Sequence, residues 1–264
     1  MMRCEAALGA VVLLCAAGAA WAEEAQVRGK VLIVADEQKN MEVLAEFLRK
    51  DGGYDVAIVE EKGMPADLAP YHAVFQFIHG PMRDSTGKAM IEYAEHGGRL
   101  VLLHHAIASA RNKNPEFLKF VGIKISPRDD PKTPWRVIAN ATYALVNLKA
   151  DHYITSHNVK YDRTVRYESP DTPAAERPAI EFSQTEAFVN QQFTDGREKT
   201  VLFGFRVTDP KTGETVMQDR GGWLKPAGKG WVFYFQPGHA ESDFKDRNYR
   251  QIILNSLVWK PEKP

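Results

Sequence analysis

The side chains of this sequence best placed to do chemistry are histidines that directly follow apolar runs. His104-His105 follows the run 99–103, and His239, with Glu241 two residues on, follows the aromatic run 231–235 after Gln236-Pro237-Gly238. His79-Gly80-Pro81 closes the run 73–78, and Asp36 closes the run 30–35. Runs of β-branched, aromatic and other apolar residues bounded by Gly and Pro read as buried strands. In open α/β sheets, chemistry collects just beyond the carboxyl ends of such strands. Imidazole exchanges protons near neutral pH, and its neutral form binds divalent metals. The pattern predicts one rim where His104 and His239 act as acid and base or as ligands of a divalent metal. Glu241 would orient them, and His79, His105 and Asp36 would contact substrate. Of the adjacent pair, His104 is expected to face the crevice, because it follows its strand directly at a tight turn. As rim residues these histidines should bury little surface. His72, His96, His152 and His157 carry no assignment.

The elements that must position this rim follow from hydrophobic periodicity. Strands are predicted at 30–35, 54–59, 73–78, 99–103, 200–207 and 231–235. Helices are predicted at 40–50, with Met41, Leu44, Ala45 and Leu48 on one face, after Ser85-Thr86 as a cap, and at 247–259. Continuous apolar strands alternating with helices predict a parallel sheet covered on both faces. The stretch 122–177, rich in Pro, Asp, Lys and Asn, predicts short strands and long excursions over the sheet's carboxyl edge. Trp223, Trp231 and Tyr234 offer aromatic faces for stacking, with core packing as their other role.

Composition narrows the function classes. Lys+Arg and Asp+Glu balance at 34 each in 264 residues, and no basic stripe carries interleaved aromatics, so neither nucleic acid nor an anionic membrane is an expected partner. Residues 1–22 read as a signal peptide: Arg3, an apolar stretch at 6–20, and Ala20-Trp21-Ala22 as a small-x-small cleavage site. Leu13-Leu14 before Cys15 argues against a lipoprotein. The expectation is export to the periplasm or beyond, with residues 23–264 forming a single domain off the membrane; assembly into an oligomer stays open. Both cysteines, Cys4 and Cys15, fall in the leader, so the mature chain has neither disulfide nor thiolate.

Three segments carry a family resemblance. Gly97-Gly98-Arg99-Leu100-Val101-Leu102-Leu103-His104-His105-Ala106, then Gly228-Lys229-Gly230-Trp231-Val232-Phe233-Tyr234 with Gly238-His239, then Asn255-Ser256-Leu257-Val258-Trp259, resemble the ThuA-like (trehalose utilisation) family over roughly 29–259. His152-Tyr153-Ile154-Thr155 is similar to the family's His-Pro-Ile-Thr, with Tyr153 in place of Pro. Thr185-Glu186-Ala187-Phe188 stands where the family has Asp-Glu-x-Tyr, and Glu186 is the residue that carries over. The resemblance implies a class I glutamine amidotransferase-like fold, a flavodoxin-like doubly wound parallel sheet. It also implies a role in trehalose-type or keto-disaccharide metabolism, with Glu186 joining Glu241 as a supporting carboxylate. In true amidotransferases the elbow after the equivalent strand bears Cys. Here that place falls to His104, and glutamine hydrolysis through a thioester needs a thiolate. Two function classes stay open: an enzyme acting on carbohydrate, and a non-catalytic carbohydrate- or partner-binding module on the same fold.

Overall fold

The computed structural model describes residues 27–109, 114–196 and 198–261; the expected leader and both cysteines lie outside the described residues. In chain order the elements are β1 (Lys30–Ala35), α1 (Gln38–Lys50), β2 (Asp55–Val59), β3 (Tyr71–Phe77), α2 (Asp84–Glu95) and β4 (Arg99–Leu103). There follow α3 (Ala106–Ser109), α4 (Pro115–Val121), β5 (Ile123–Ile125), β6 (Arg136–Asn147), α5 (Tyr153–Ser156), β7 (Arg163–Ser169) and β8 (Thr172–Val189). The chain closes with β9 (Gln191–Phe193), β10 (Thr200–Thr208), β11 (Thr215–Ala227), β12 (Gly230–Phe235) and α6 (Arg247–Val258).

Ten strands form one sheet in the order β2-β1-β3-β4-β12-β11-β10-β6-β8-β7. From β2 to β12 every pairing is parallel. This half is a flavodoxin-like sheet, with the connection reversing direction between β1 and β3. Its strands read as continuous apolar runs because both faces are covered. Met41, Leu44 and Leu48 of α1 and Ile252, Ile253 and Leu257 of α6 pack on one face, and Met90, Tyr93 and Ala94 of α2 with Phe117 and Leu118 of α4 pack on the other. Each fully buried Leu, Ile, Val or Phe contributes about 1.5–3 kcal/mol, so this double cover supplies much of the fold's stability.

The second half departs from expectation. The strand at 200–208 belongs to the sheet but runs antiparallel to both neighbours, β11 and β6. The stretch expected to hold short strands and excursions contains the 12-residue β6, paired antiparallel with the 18-residue β8. Scattered Pro, Asp and Lys hid these strands because one of their faces meets solvent: Glu181 and Ser183 are exposed while Ile180 and Phe182 are buried. Antiparallel sheets tolerate such alternation. Ser85 and Thr86 do not cap α2; they lie inside it, and its N-cap position, Arg83, makes no side-chain cap. Trp223 and Tyr234 are wholly buried in the core and unavailable for stacking, and Trp231, at the amino end of β12, packs edge-on against Trp259.

Two of the family-like segments meet at that amino edge. Asn255 Nδ2 donates to the carbonyls of Ile154 (3.1 Å) and His157 (2.7 Å), tying α6 to α5. His152 caps α5 by accepting from the Ile154 N–H. These segments hold the sheet's amino end together, away from the histidine rim.

Burial makes seven tyrosines resist ionisation: Tyr143, Tyr234 and Tyr249 in the core, and Tyr54, Tyr93, Tyr161 and Tyr167, are all pushed above the usual phenol value. A folded value above the unfolded one means stability is intact below about pH 10 and is lost as pH rises toward the folded value. Ultraviolet titration of the native chain should therefore show only part of its nine tyrosines ionising near pH 10, the rest appearing with unfolding. Reversible ionisation of all nine near pH 10, with the circular dichroism unchanged, would contradict this core.

Candidate functional site at the carboxyl edge

β4 ends at Leu103 and α3 starts at Ala106, so the chain must reverse within His104 and His105. His104 does this with φ at +42°, a left-handed conformation that costs a residue with a Cβ about 1–2 kcal/mol. The turn is held by its N–H donating to Phe235 O (2.9 Å) and by its ring Nδ1, 2.6 Å from Gln236 O. The ring of His104 stacks on Phe188, with centroids 4.4 Å apart. This is an elbow of the kind that presents a reactive side chain, and its occupant is an imidazole.

Contrary to the expectation for rim residues, His104 and His105 are buried, with 0% and 4% exposure. Glu186 (19%) and His239 (37%) form the side that faces solvent. One donor atom from each of His104, His105, Glu186 and His239 lies within 4.8 Å of the others. Within this group Glu186 Oε2 is 3.2 Å from His239 Nδ1 and 3.7 Å from His104 Nε2. The rings of His104 and His239 are 5.6 Å apart, and those of His104 and His105 4.3 Å.

Glu186 reaches this point through a bulge. The β6–β8 register shifts around Ala141–Thr185, where Asn140 and Gln184 both take φ of +55°. Bulges re-aim side chains: Ser183 and Gln184 are consecutively exposed, after which Thr185 turns inward and Glu186 faces the histidines. Glu186 comes from the antiparallel half, so the site joins the sheet's two halves.

Three buried groups fix the frame, and periodicity alone did not single them out. The Gln236 side chain accepts from Phe188 N (3.1 Å) and donates to Phe188 O (3.2 Å) and Arg220 O (3.1 Å), while the backbone carbonyl of Gln236 meets His104 Nδ1. Asp243, 1% exposed, accepts from Thr185 Oγ1 (2.6 Å) and Gly238 N (3.0 Å), bridging the β8 strand to the loop that carries His239. Phe188 walls the ring of His104.

Gly238 is required by both conformation and space. Its φ is +132°, and a Cβ there would lie 2.8 Å from the Phe244 ring and 3.5 Å from His104 Cβ. Gly238→Ala should cost about 1–3 kcal/mol by thermal or urea unfolding; an unchanged midpoint would show that the loop relaxes freely.

The electrostatics set the three groups apart. Burial, reinforced by the neighbouring histidines, pushes His105 down to about 2, so it is neutral at physiological pH. Burial raises the Glu186 carboxyl, but His104 and His239 outweigh this and hold it well below the usual carboxylate range. Glu186 in turn raises His239.

The other expected site residues lie around this group. The ring of His79 stacks on His105 with centroids 4.3 Å apart, and its Nδ1 lies 3.2 Å from Glu37 Oε1. Asp36 is turned toward the backbone: its carboxylate accepts from the N–H groups of His79 and Gly80 at 2.8–2.9 Å, pinning the turn after β3. Glu241 pairs with Lys245 at 2.7 Å, which lowers its carboxyl, and it is not part of the four-residue group. The carboxylate in the group is Glu186.

A doubly wound, amidotransferase-like sheet with histidine at the elbow defines a class. The ThuA family model, described as trehalose utilisation, matches residues 29–260, and the chain belongs to that family. Among solved structures, a protein described as ThuA-like from Bacteroides uniformis is 18% identical, with a TM-score of 0.51 over 87% of this chain and 89% of that one. A protein titled cytoplasmic from Salmonella typhimurium is 14% identical, with a TM-score of 0.54 over 87% and 98%. A β-galactosidase from Bacillus circulans is 11% identical, with a TM-score of 0.54 over 89% of this chain and 31% of the enzyme's. At these identities the likeness is one of fold. No curated protein matches the sequence.

Proposed function

We propose that this chain is an exported protein of carbohydrate utilisation that acts on a trehalose-type or keto-disaccharide through His104, Glu186 and His239, with His105 behind them. The observation that carries the reading is the convergence of three imidazoles and one ionised carboxylate on the elbow of a ThuA-family fold. Glu186 and His239 are the half-open side where a sugar would enter. His104 and His105 form the buried floor, where low dielectric strengthens their interaction with a bound oxygen. The site fits proton transfer to or from a sugar hydroxyl or carbonyl, or polarisation of that oxygen by an ion the histidines hold. Amidotransferase chemistry has no support, since the elbow residue is His104 and the only cysteines are Cys4 and Cys15.

Turnover of trehalose and of a keto-disaccharide, followed by chromatography with wild type and His239→Ala side by side, tests the reading. Conversion by wild type and its loss in the variant are expected; conversion undiminished in the variant would overturn it. For export, N-terminal sequencing of the secreted protein should begin at Glu23, and a mature chain that keeps Met1 would reject the leader. No helix among the described residues is long and apolar enough to cross a membrane.

The second reading, a carbohydrate-binding module, is favoured by one feature. At the amino edge a hollow of about 870 Å³ is lined by Tyr153, His157, Trp231 and Trp259. Tyr153 is exposed at its mouth and stacks on His157 with centroids 4.5 Å apart. Aromatic faces of this kind suit a sugar ring.

A further inference from the structure

We infer that His104, Glu186 and His239, with His105 as a fourth donor, form a site for one divalent transition-metal ion of the zinc type. The inference rests on the same cluster as the proposed function but is independent of the sugar.

The argument starts from one proton. Gln236 O is a carbonyl and can only accept, so the 2.6 Å contact requires His104 Nδ1 to carry the hydrogen. In the neutral ring Nε2 is then a bare lone pair. That lone pair is fully buried, has no hydrogen-bond partner, and faces Glu186 Oε2, another acceptor, at 3.7 Å. A lone pair aimed at a carboxylate is repulsive unless something positive lies between them.

The same arrangement recurs around the cluster. His239 Nδ1 lies 3.2 Å from the same oxygen but makes no hydrogen bond to it, and His105 Nδ1 is likewise buried without a hydrogen-bond partner. Three imidazole nitrogens and a carboxylate thus converge on one point with no well-directed hydrogen bond among them. Buried polar atoms left this way are costly, and a cation at the shared point satisfies all of them at once. The donor set selects the ion: imidazole with one carboxylate suits zinc and its neighbours, whereas magnesium and calcium prefer all-oxygen shells. Donor atoms on a zinc shell of radius about 2.1 Å are at most about 4.2 Å apart, so a spread of 4.8 Å closes with small side-chain movements.

Two further features belong to metal sites. The Nδ1–H to backbone carbonyl bond is the outer contact that fixes the tautomer of a metal-bound histidine. The left-handed backbone of His104 is strain retained at the point where its ring is aimed.

The test uses untagged, chelator-treated protein, titrated with zinc chloride and separately with magnesium chloride by calorimetry and thermal shift. One zinc ion per chain should bind with a Kd in the micromolar range or below and raise the melting temperature, and magnesium should do neither. Glu186→Gln and His239→Ala, both on the open side, should each weaken zinc at least tenfold; His104→Ala should abolish the single-ion binding, with circular dichroism reporting its fold. Absence of zinc binding by folded wild type, or equal binding by all three variants, would overturn the inference. Sugar is absent from these measurements. Zinc binding without sugar turnover would sustain the site and reject the proposed function, and chelator-insensitive turnover without zinc binding would do the reverse.

Discussion

Replacing His239 by alanine or Glu186 by glutamine should lower sugar turnover by on the order of a hundredfold or more, the usual effect of removing an acid–base or ligand group. Stability should change by only about 1 kcal/mol in either variant. His239 is more than a third exposed and Glu186 about a fifth, so their contacts exchange partly with water. His104→Ala should lose activity as severely and also lose stability. It gives up the Phe188 stack and the Gln236 hydrogen bond while keeping the left-handed backbone. This graded pattern separates a working site from a structural cluster. Denaturant unfolding beside turnover for the three variants checks it. Large stability losses in all three with turnover per folded molecule unchanged would make the cluster structural.

Asp243→Ala should be the most destabilising single change in the neighbourhood, by about 3–5 kcal/mol. The carboxylate is buried and accepts from the Thr185 hydroxyl and the Gly238 N–H. Its removal strands both donors without water to replace it. The same bonds set the distance between the strand that carries Glu186 and the loop that carries His239, so activity should fall in the fraction that still folds. Urea unfolding reads the first effect. A loss under about 1 kcal/mol would show that water enters the gap and that Asp243 does not anchor the loop. Thr185→Val, which removes one donor together with its demand for a partner, should cost less than Asp243→Ala.

The parallel half of the fold was legible because its strands are covered on both faces. The runs around Val31–Val34, Val74–Phe77 and Leu100–Leu103 are apolar at nearly every position, and strand ends could be read from where that stops. Taken as one rim, those ends group His79, His104, His105 and His239, and the ring contacts among them fit that grouping. The antiparallel half was not legible to the same degree, since β6 and β8 alternate and are broken by a bulge at Asn140 and Gln184.

The site's carboxylate illustrates the difference. Glu241 stood near His239 in sequence, yet the chain turns after Gly238 and carries it outward to Lys245. Glu186, more than fifty positions from either histidine, entered only through the family resemblance, because pairing between distant strands leaves no local period. Its one local trace is the consecutive exposed pair Ser183-Gln184, where the alternation of β8 breaks. Asp36 was misleading in another way: a carboxylate at a strand end serves substrate or backbone equally well by sequence, and here it holds the turn at His79 and Gly80.

The central claim is that the sugar is handled at the carboxyl edge, and a crystal structure of the Glu186→Gln variant soaked with a trehalose-type disaccharide tests it most directly. The account predicts sugar density within hydrogen-bond reach of His239 and the residue at 186, over the floor formed by His104 and His105. Density lodged instead against Tyr153, Trp231 and Trp259 at the amino edge, with the histidine cluster untouched, would contradict it and assign the chain to the binding modules.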